Sequence, residues 1–389
     1  MDPLITFHLL AIIFLAYVCR FPFLKFPLDD DFSIYTYRAQ FANIGFKWKK
    51  DLQIIGIPMW KMILFEKVFS SPKSGHKRLR NLQTLFHATA CLSIYWVIFI
   101  ATQNPWAAFS GGILYSFYGT SPDLTAGSFN FEQFYIPFIF FGLAFLFNGS
   151  VFYAGLCFGL AAISKWTMII YAGTFVPIAW ISYGEDPAAL FATTVASVVI
   201  LSNLADWKLG FWDSEAINQM KTRMATTLRI SKTKALHFSI WLEIVLIIKQ
   251  TLPLWISGMA GLVFFIAKTE NLWLIIFVLV TLSNIVFQRA FSRYHYLPWL
   301  ASLSLGSGLG VDWVLEQDRV LGGTIAGIYF LVLIWNVKSL LFYYLNPTHP
   351  ETLVHYEKYD QYLYIPRLGK ILKRLMKMRG ESGERIFVW

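Results

Sequence analysis

Three consecutive carboxylates, Asp29, Asp30 and Asp31, stand in the stretch FPLDDDFSIYTYR, just after an almost wholly apolar N-terminal segment. Adjacent acids repel one another, and ending a membrane helix needs only one or two polar groups, so their type and spacing point to chemistry. A carboxylate held beside cations stays ionised and can take a proton from a hydroxyl or an amine. Further acids follow at Asp51, Asp123 and Glu132, and basic side chains at Arg78, Arg80, Lys165, Arg289 and Arg293, with His237 and His295 among them. Lys and Arg hold phosphate or pyrophosphate through charge-assisted hydrogen bonds. Singly, each of these residues reads as a solvated loop group or a snorkelling base. Together, acids and bases from separate segments describe a site that handles a phosphorylated head group at a membrane surface. Asp51, His237 and His295 are assigned to a substrate loop. No metal is assigned; the histidines lack ligand spacing, and a divalent ion meeting His237 and His295 across loops stays open.

These residues must be positioned by membrane helices. Only 14% of the 389 residues are charged and 56% are hydrophobic, against about 25% charged in soluble domains. Apolar residues come in blocks such as Leu4–Tyr17, Phe134–Phe147 and Ala188–Leu201, which with their flanks approach the length of a membrane crossing. The pattern predicts an all-α polytopic membrane protein of roughly eleven spans, at 4–20, 81–102, 105–120, 133–148, 150–165, 167–183, 187–204, 250–267, 271–288, 296–313 and 320–344. The first segment lacks a basic start and a small-residue cleavage site, so it reads as a retained helix. Cys19, Cys91 and Cys157 show no pairing pattern.

Connections alternate in character. One set is minimal, as in TQNP, NGS, SYGEDP and KTEN. The other is long and rich in charge and aromatics (21–80, 121–132, 205–237, 288–295 and the tail), with the tight Lys165–Trp166 turn on the same side. Successive connections fall on opposite faces, so every candidate residue shares one face. Within 21–80, SIYTYRAQFANIGFKWKK and LQIIGIPMWKMILFEKVF carry helical apolar spacing with Lys and Arg between, which predicts amphipathic juxtamembrane helices. The run LGSGLG at 305–310 sits inside an apolar block without a flanking strand, so it predicts close helix packing and not nucleotide binding.

The order of apolar helix, DDD, a Tyr…Ala…Gly run ending at Gly45, and RLRNLQTLFHATACLSIYW resembles GT-C glycosyltransferases. Specifically, it is similar to the protein O-mannosyltransferase superfamily, which includes the lipid A aminoarabinose transferases. The resemblance continues through GSFNFEQFYIPF, YAGLCFGLAAISKWTMIIY, RAFSRYHYLPWL and the terminal GERIFVW, and covers most of the chain. It implies a GT-C helical bundle and an inverting transferase that uses a polyprenyl-phosphate sugar. It also implies a catalytic acid at Asp30 with Asp31 beside it and Glu132 as a second acid. Lys165, Arg293, Tyr294 and Arg78 would receive the donor phosphate. Two departures stand out. Ser-Lys-Trp replaces the family's Thr-Lys-Gly, and the first loop meets its last helix at GIPMW, where only Pro58 matches.

The domain expectation is a membrane domain over 1–345 and a basic tail over 346–389, the latter read as a truncated extracytoplasmic domain or a contact for a protein partner. The resemblance places the elaborate face on the extracytoplasmic (periplasmic or lumenal) side. The positive-inside rule places the same face in the cytoplasm, because the Lys and Arg concentrate there. A phosphate-binding face has its own reason to be basic, which favours the first placement. Expected partners are a polyprenyl-phosphate-linked sugar, membrane lipids and an unidentified acceptor, with no nucleic acid. The alternatives are a transporter or lipid-phosphate flippase and a non-catalytic subunit of a membrane complex. No internal repeat of the transporter kind is visible.

Overall fold

The computed structural model describes residues 2–25, 72–120, 131–208, 238–269, 272–288 and 293–336, with Lys67, Asn218, Lys221 and Thr222 besides. Among the described residues there are eleven α-helices and no strand. They are α1 (Pro3–Arg20), α2 (Pro72–Thr102), α3 (Pro105–Tyr118), α4 (Phe131–Phe147), α5 (Val151–Ser164), α6 (Ile169–Tyr183), α7 (Glu185–Lys208), α8 (Phe238–Thr269), α9 (Leu272–Gln288), α10 (Leu297–Gln317) and α11 (Arg319–Asn336). Three single-turn 3-10 helices, Phe21–Lys25, Trp166–Met168 and Arg293–Tyr296, join them. Among the described residues, five stretches are long and apolar enough to cross a membrane: Pro3–Arg20, Lys77–Thr102, Trp166–Tyr183, Glu185–Lys208 and Ile247–Thr269. The described residues are thus helical throughout their regular structure, with several helices of the length and apolarity of membrane spans.

Helix starts follow local chemistry. The Asp2 side chain accepts from the Leu4 amide at 2.8 Å, and Pro3 occupies the first helical position. Asn104 does the same for α3, accepting from the amides of Trp106 and Ala107, with Pro105 next in line. The tight connections NGS and SYGEDP turn on Gly149 (φ +70°) and Gly184 (φ +91°), conformations that side chains rarely adopt. Two helices begin well before the apolar windows that the sequence marks. α2 starts at Pro72 and not near 81, and α8 at Phe238 and not near 250. Their first turns, 72–76 and 238–246, precede the stretches apolar enough to cross a membrane, so the helical backbone continues beyond those stretches.

Small residues set how closely the helices approach. α8 packs chiefly on α10, α5 on α7, and α2 on α4. Along the α8–α10 seam, a Cβ added to Gly261 would lie 1.9 Å from the Gly306 carbonyl oxygen, and one on Gly306 2.2 Å from the Gly258 carbonyl. Ser257 and Ser307 hydroxyls meet across the same seam at 2.6 Å. The run at 305–310 thus packs against a neighbouring helix, in the manner of membrane helices that associate through small residues. The Tyr329 hydroxyl donates to the Pro253 carbonyl, tying α11 to the proline turn of α8.

Candidate functional site

Glu132 lies in the first turn of α4, where the amide dipoles favour a negative charge. Its side chain is wholly buried. Lys165 follows α5 in extended backbone (φ −151°, ψ 120°), a break between two helical turns that turns its side chain away from the α5 axis. His295 rides the 3-10 turn that leads into α10. The fold gathers all three on one carboxylate oxygen. Lys165 Nζ donates to Glu132 Oε1 at 2.5 Å, and His295 Nδ1 stands 2.9 Å from the same atom. An oxygen acceptor at Nδ1 requires that His295 carry its proton there. His295 is buried, while the Lys165 side chain keeps 16% of its exposure. Of the three side chains, that of Lys165 is the least enclosed.

This arrangement is chemically specific. Two donors converge on Oε1, and Oε2 has no hydrogen-bond partner among the described residues. A buried carboxylate needs compensation for lost solvation, and here it comes from one ammonium and one imidazole N–H. The three residues come from the start of α4, the α5–α6 junction and the α9–α10 junction, all ends of one face by the alternation of the chain.

Other basic groups cluster at the same ends. Arg78 is exposed, whereas Arg80 is only 1% exposed and donates to Gln83 Oε1 at 2.9 Å. The sequence run HKRLR suggests a uniformly solvated stretch, and for Arg80 that expectation is corrected. Residues two apart on a helix point about 200° away from each other, so when Arg78 faces out Arg80 faces in. Arg20, the last residue of α1, is buried and its Nη2 lies 3.4 Å from the Gly119 carbonyl oxygen. His87 is buried with Nε2 3.3 Å from the Ser116 carbonyl oxygen. Neither stood out in the sequence: Arg20 closes an apolar segment as a snorkelling base would, and His87 is a lone histidine within one. The signal available was the cost of such groups at membrane depth.

Asp29, Asp30, Asp31, Asp51 and His237 lie outside the described residues, as does the tail 337–389 with its GERIFVW segment. Arg293 and Tyr294 open the turn that carries His295, and their side chains are likewise outside the described part. Among the described residues no group of three or more His, Cys, Asp or Glu is placed to hold a metal ion. At the opposite ends of the helices, Asn104 Nδ2 donates to Asp312 Oδ1 at 2.9 Å and Lys268 pairs with Glu316. These contacts tie the α2–α3 turn and α8 to the end of α10. No family model matches the chain, and no curated protein matches it.

Proposed function

We propose that the protein is an integral-membrane glycosyltransferase of GT-C type, moving a sugar from a polyprenyl-phosphate carrier to an acceptor on the extracytoplasmic face. One observation supports this beyond the sequence resemblance: Lys165 and His295, far apart in the chain, converge on the single buried carboxylate of Glu132. A membrane protein rarely encloses such charges without use for them. Lys165 is the donor-phosphate cation in this scheme. Asp30 is the general base toward the acceptor and Asp31 orients the site, with Arg293, Tyr294 and Arg78 completing the phosphate side. Glu132 is assigned to hold Lys165 and to face the substrate's polar head. Eleven crossings and the GT-C arrangement belong to the same proposal.

The complete burial of Glu132 also favours a second reading, in which Glu132 and Lys165 are the intramembrane charges of a lipid-phosphate flippase. One experiment separates the two. Purified protein is reconstituted with a radiolabelled polyprenyl-phosphate sugar and a membrane extract as source of acceptor. Transferase activity predicts label leaving the lipid and free polyprenyl phosphate accumulating, with Asp30→Asn slowing turnover about 10²-fold and Asp29→Asn changing it little. Movement of intact lipid between leaflets without cleavage would instead establish the flippase.

A further inference from the structure

Asn284 lies one turn from the end of α9, in a helix of mostly apolar residues, and is only 1% exposed. An amide so enclosed costs free energy unless its hydrogen bonds are made. Here they are made with other helices. The Tyr135 hydroxyl of α4 and the Tyr171 hydroxyl of α6, both fully buried, each have the Asn284 side chain as a hydrogen-bond partner. One amide can serve two phenols because it both donates and accepts. Asn284 Nδ2 also points at the Met168 sulfur, 4.0 Å away in the 3-10 turn before α6. The Tyr171 hydroxyl donates to Thr281 Oγ1 at 3.1 Å, and Thr281 Oγ1 donates to the Phe277 carbonyl at 2.8 Å, so the network returns to α9.

The elements tied by this amide are the ones that carry the charged cluster. Tyr135 lies about one turn after Glu132 on α4. Met168 ends the short turn that begins just after Lys165, and Tyr171 belongs to the first turn of α6. α9 leads to the turn that holds His295. At Glu132 Oε1 the two donors stand at 2.5 and 2.9 Å. Such a convergence survives only if the three elements keep their places to within about 0.5 Å. Hydrophobic attraction holds helices together but has no direction, so small slides and rotations cost it little. A hydrogen bond weakens steeply once its angle is lost.

We propose that Asn284 is a positioning residue for the site. By tying α9 to α4 and to the start of α6, it sets the geometry in which Glu132 Oε1 takes both Lys165 and His295. It acts through those three side chains and touches no ligand itself. Its effect on anion binding rests on the phosphate role proposed above for Lys165, whereas its effect on the cluster does not.

The test uses the full chain in lipid nanodiscs, isotope-labelled at its histidine nitrogens for magnetic resonance. An imidazole protonated at Nδ1 gives a nitrogen spectrum unlike that of the Nε2–H form. Of the seven histidines, the signal that vanishes in His295→Gln is that of His295. Wild type should show it protonated at Nδ1. Asn284→Leu, which keeps the volume and removes the amide, should move that signal toward a mixture of forms while the other histidine signals stay in place. It should also weaken binding of undecaprenyl phosphate about five- to tenfold. Tyr171→Phe, which removes a single hydroxyl of the network, should shift both readouts the same way by less, and decides the matter if Asn284→Leu does not fold. An unchanged His295 signal in the folded variants, whatever their melting temperature, makes Asn284 a stabilising residue only and overturns the proposal. So does a shift of all histidine signals together, which reports general loosening. If wild type fails to bind undecaprenyl phosphate but Asn284→Leu still moves the His295 signal alone, the positioning role stands and the phosphate role of Lys165 falls.

Discussion

Replacing single glycines along the α8–α10 seam by alanine offers a graded test of how the bundle is held. An alanine Cβ at 261 would sit 1.9 Å from the Gly306 carbonyl oxygen, 1.5 Å short of the 3.4 Å at which ordinary contact begins (3.4 less 1.9). The obstructing atoms are backbone, so no rotamer change relieves the clash and the helices must separate. Overpacking a close-packed interior costs about 1–3 kcal/mol and more where nothing yields. Separation also stretches the Ser257–Ser307 hydrogen bond, a further loss of about 1 kcal/mol. Gly261→Ala should therefore cost about 3 kcal/mol or more. Gly310→Ala, whose Cβ would lie 3.1 Å from Gly261 Cα, should cost much less. Gly173→Ala on α6 meets nothing within 4 Å and serves as the control, neutral or slightly stabilising through helix propensity. The assay is thermal unfolding of purified protein in one detergent, with Gly261→Ala melting on the order of 5–10 °C below wild type. Equal melting temperatures for Gly261→Ala and Gly173→Ala would refute backbone-limited packing at this seam.

The Glu132 cluster predicts an asymmetric mutant cycle. Lys165→Met leaves a fully buried carboxylate with one donor fewer and should cost about 3 kcal/mol, whereas Glu132→Gln removes the wholly buried charge and leaves only the less enclosed Lys165 side chain without its carboxylate, and should cost less. The double variant Lys165→Met/Glu132→Gln should be more stable than Lys165→Met alone, measured by thermal unfolding; a simple sum of the two losses would count against the pairing. Arg80→Ala, which empties a buried site and removes the donor to Gln83, should cost about 1–3 kcal/mol, while exposed Arg78→Ala should leave the melting temperature unchanged; equal shifts would contradict the opposed facing of the two residues. His8 is buried against the Phe109 ring at 4.3 Å with the Pro105 backbone beside it, and among the described residues neither ring nitrogen meets a partner in ordinary hydrogen-bond geometry. His8→Phe should preserve the stacking and raise stability by about 1 kcal/mol, and a clear drop in melting temperature would show that the imidazole is hydrogen-bonded after all.

What the sequence determined by itself was local. Apolar blocks of the right length become helices because every backbone polar group in hydrocarbon must be satisfied within its own segment. Pro3 and Pro105 after capping side chains start helices, and Gly149 and Gly184 turn the chain, because these preferences reside in a few adjacent residues. Glu132 and Lys165 stood out as charges in a greasy chain, and the small residues of 305–310 announced close packing without naming a partner. The tertiary structure decided which groups meet. His295 shares an oxygen with Lys165 although it lies 163 residues from Glu132, a pairing that no periodicity encodes. The inward turn of Arg80 and the outward turn of Arg78 follow from how α2 is rotated against its neighbours, and the burial of Arg20 follows from the approach of the α3 end at Gly119. The same holds for the two unlike oxygens of Glu132. Charge and hydrophobicity are properties of residues, but desolvation and hydrogen-bond completion are properties of a place, and a place exists only once distant segments have packed around it.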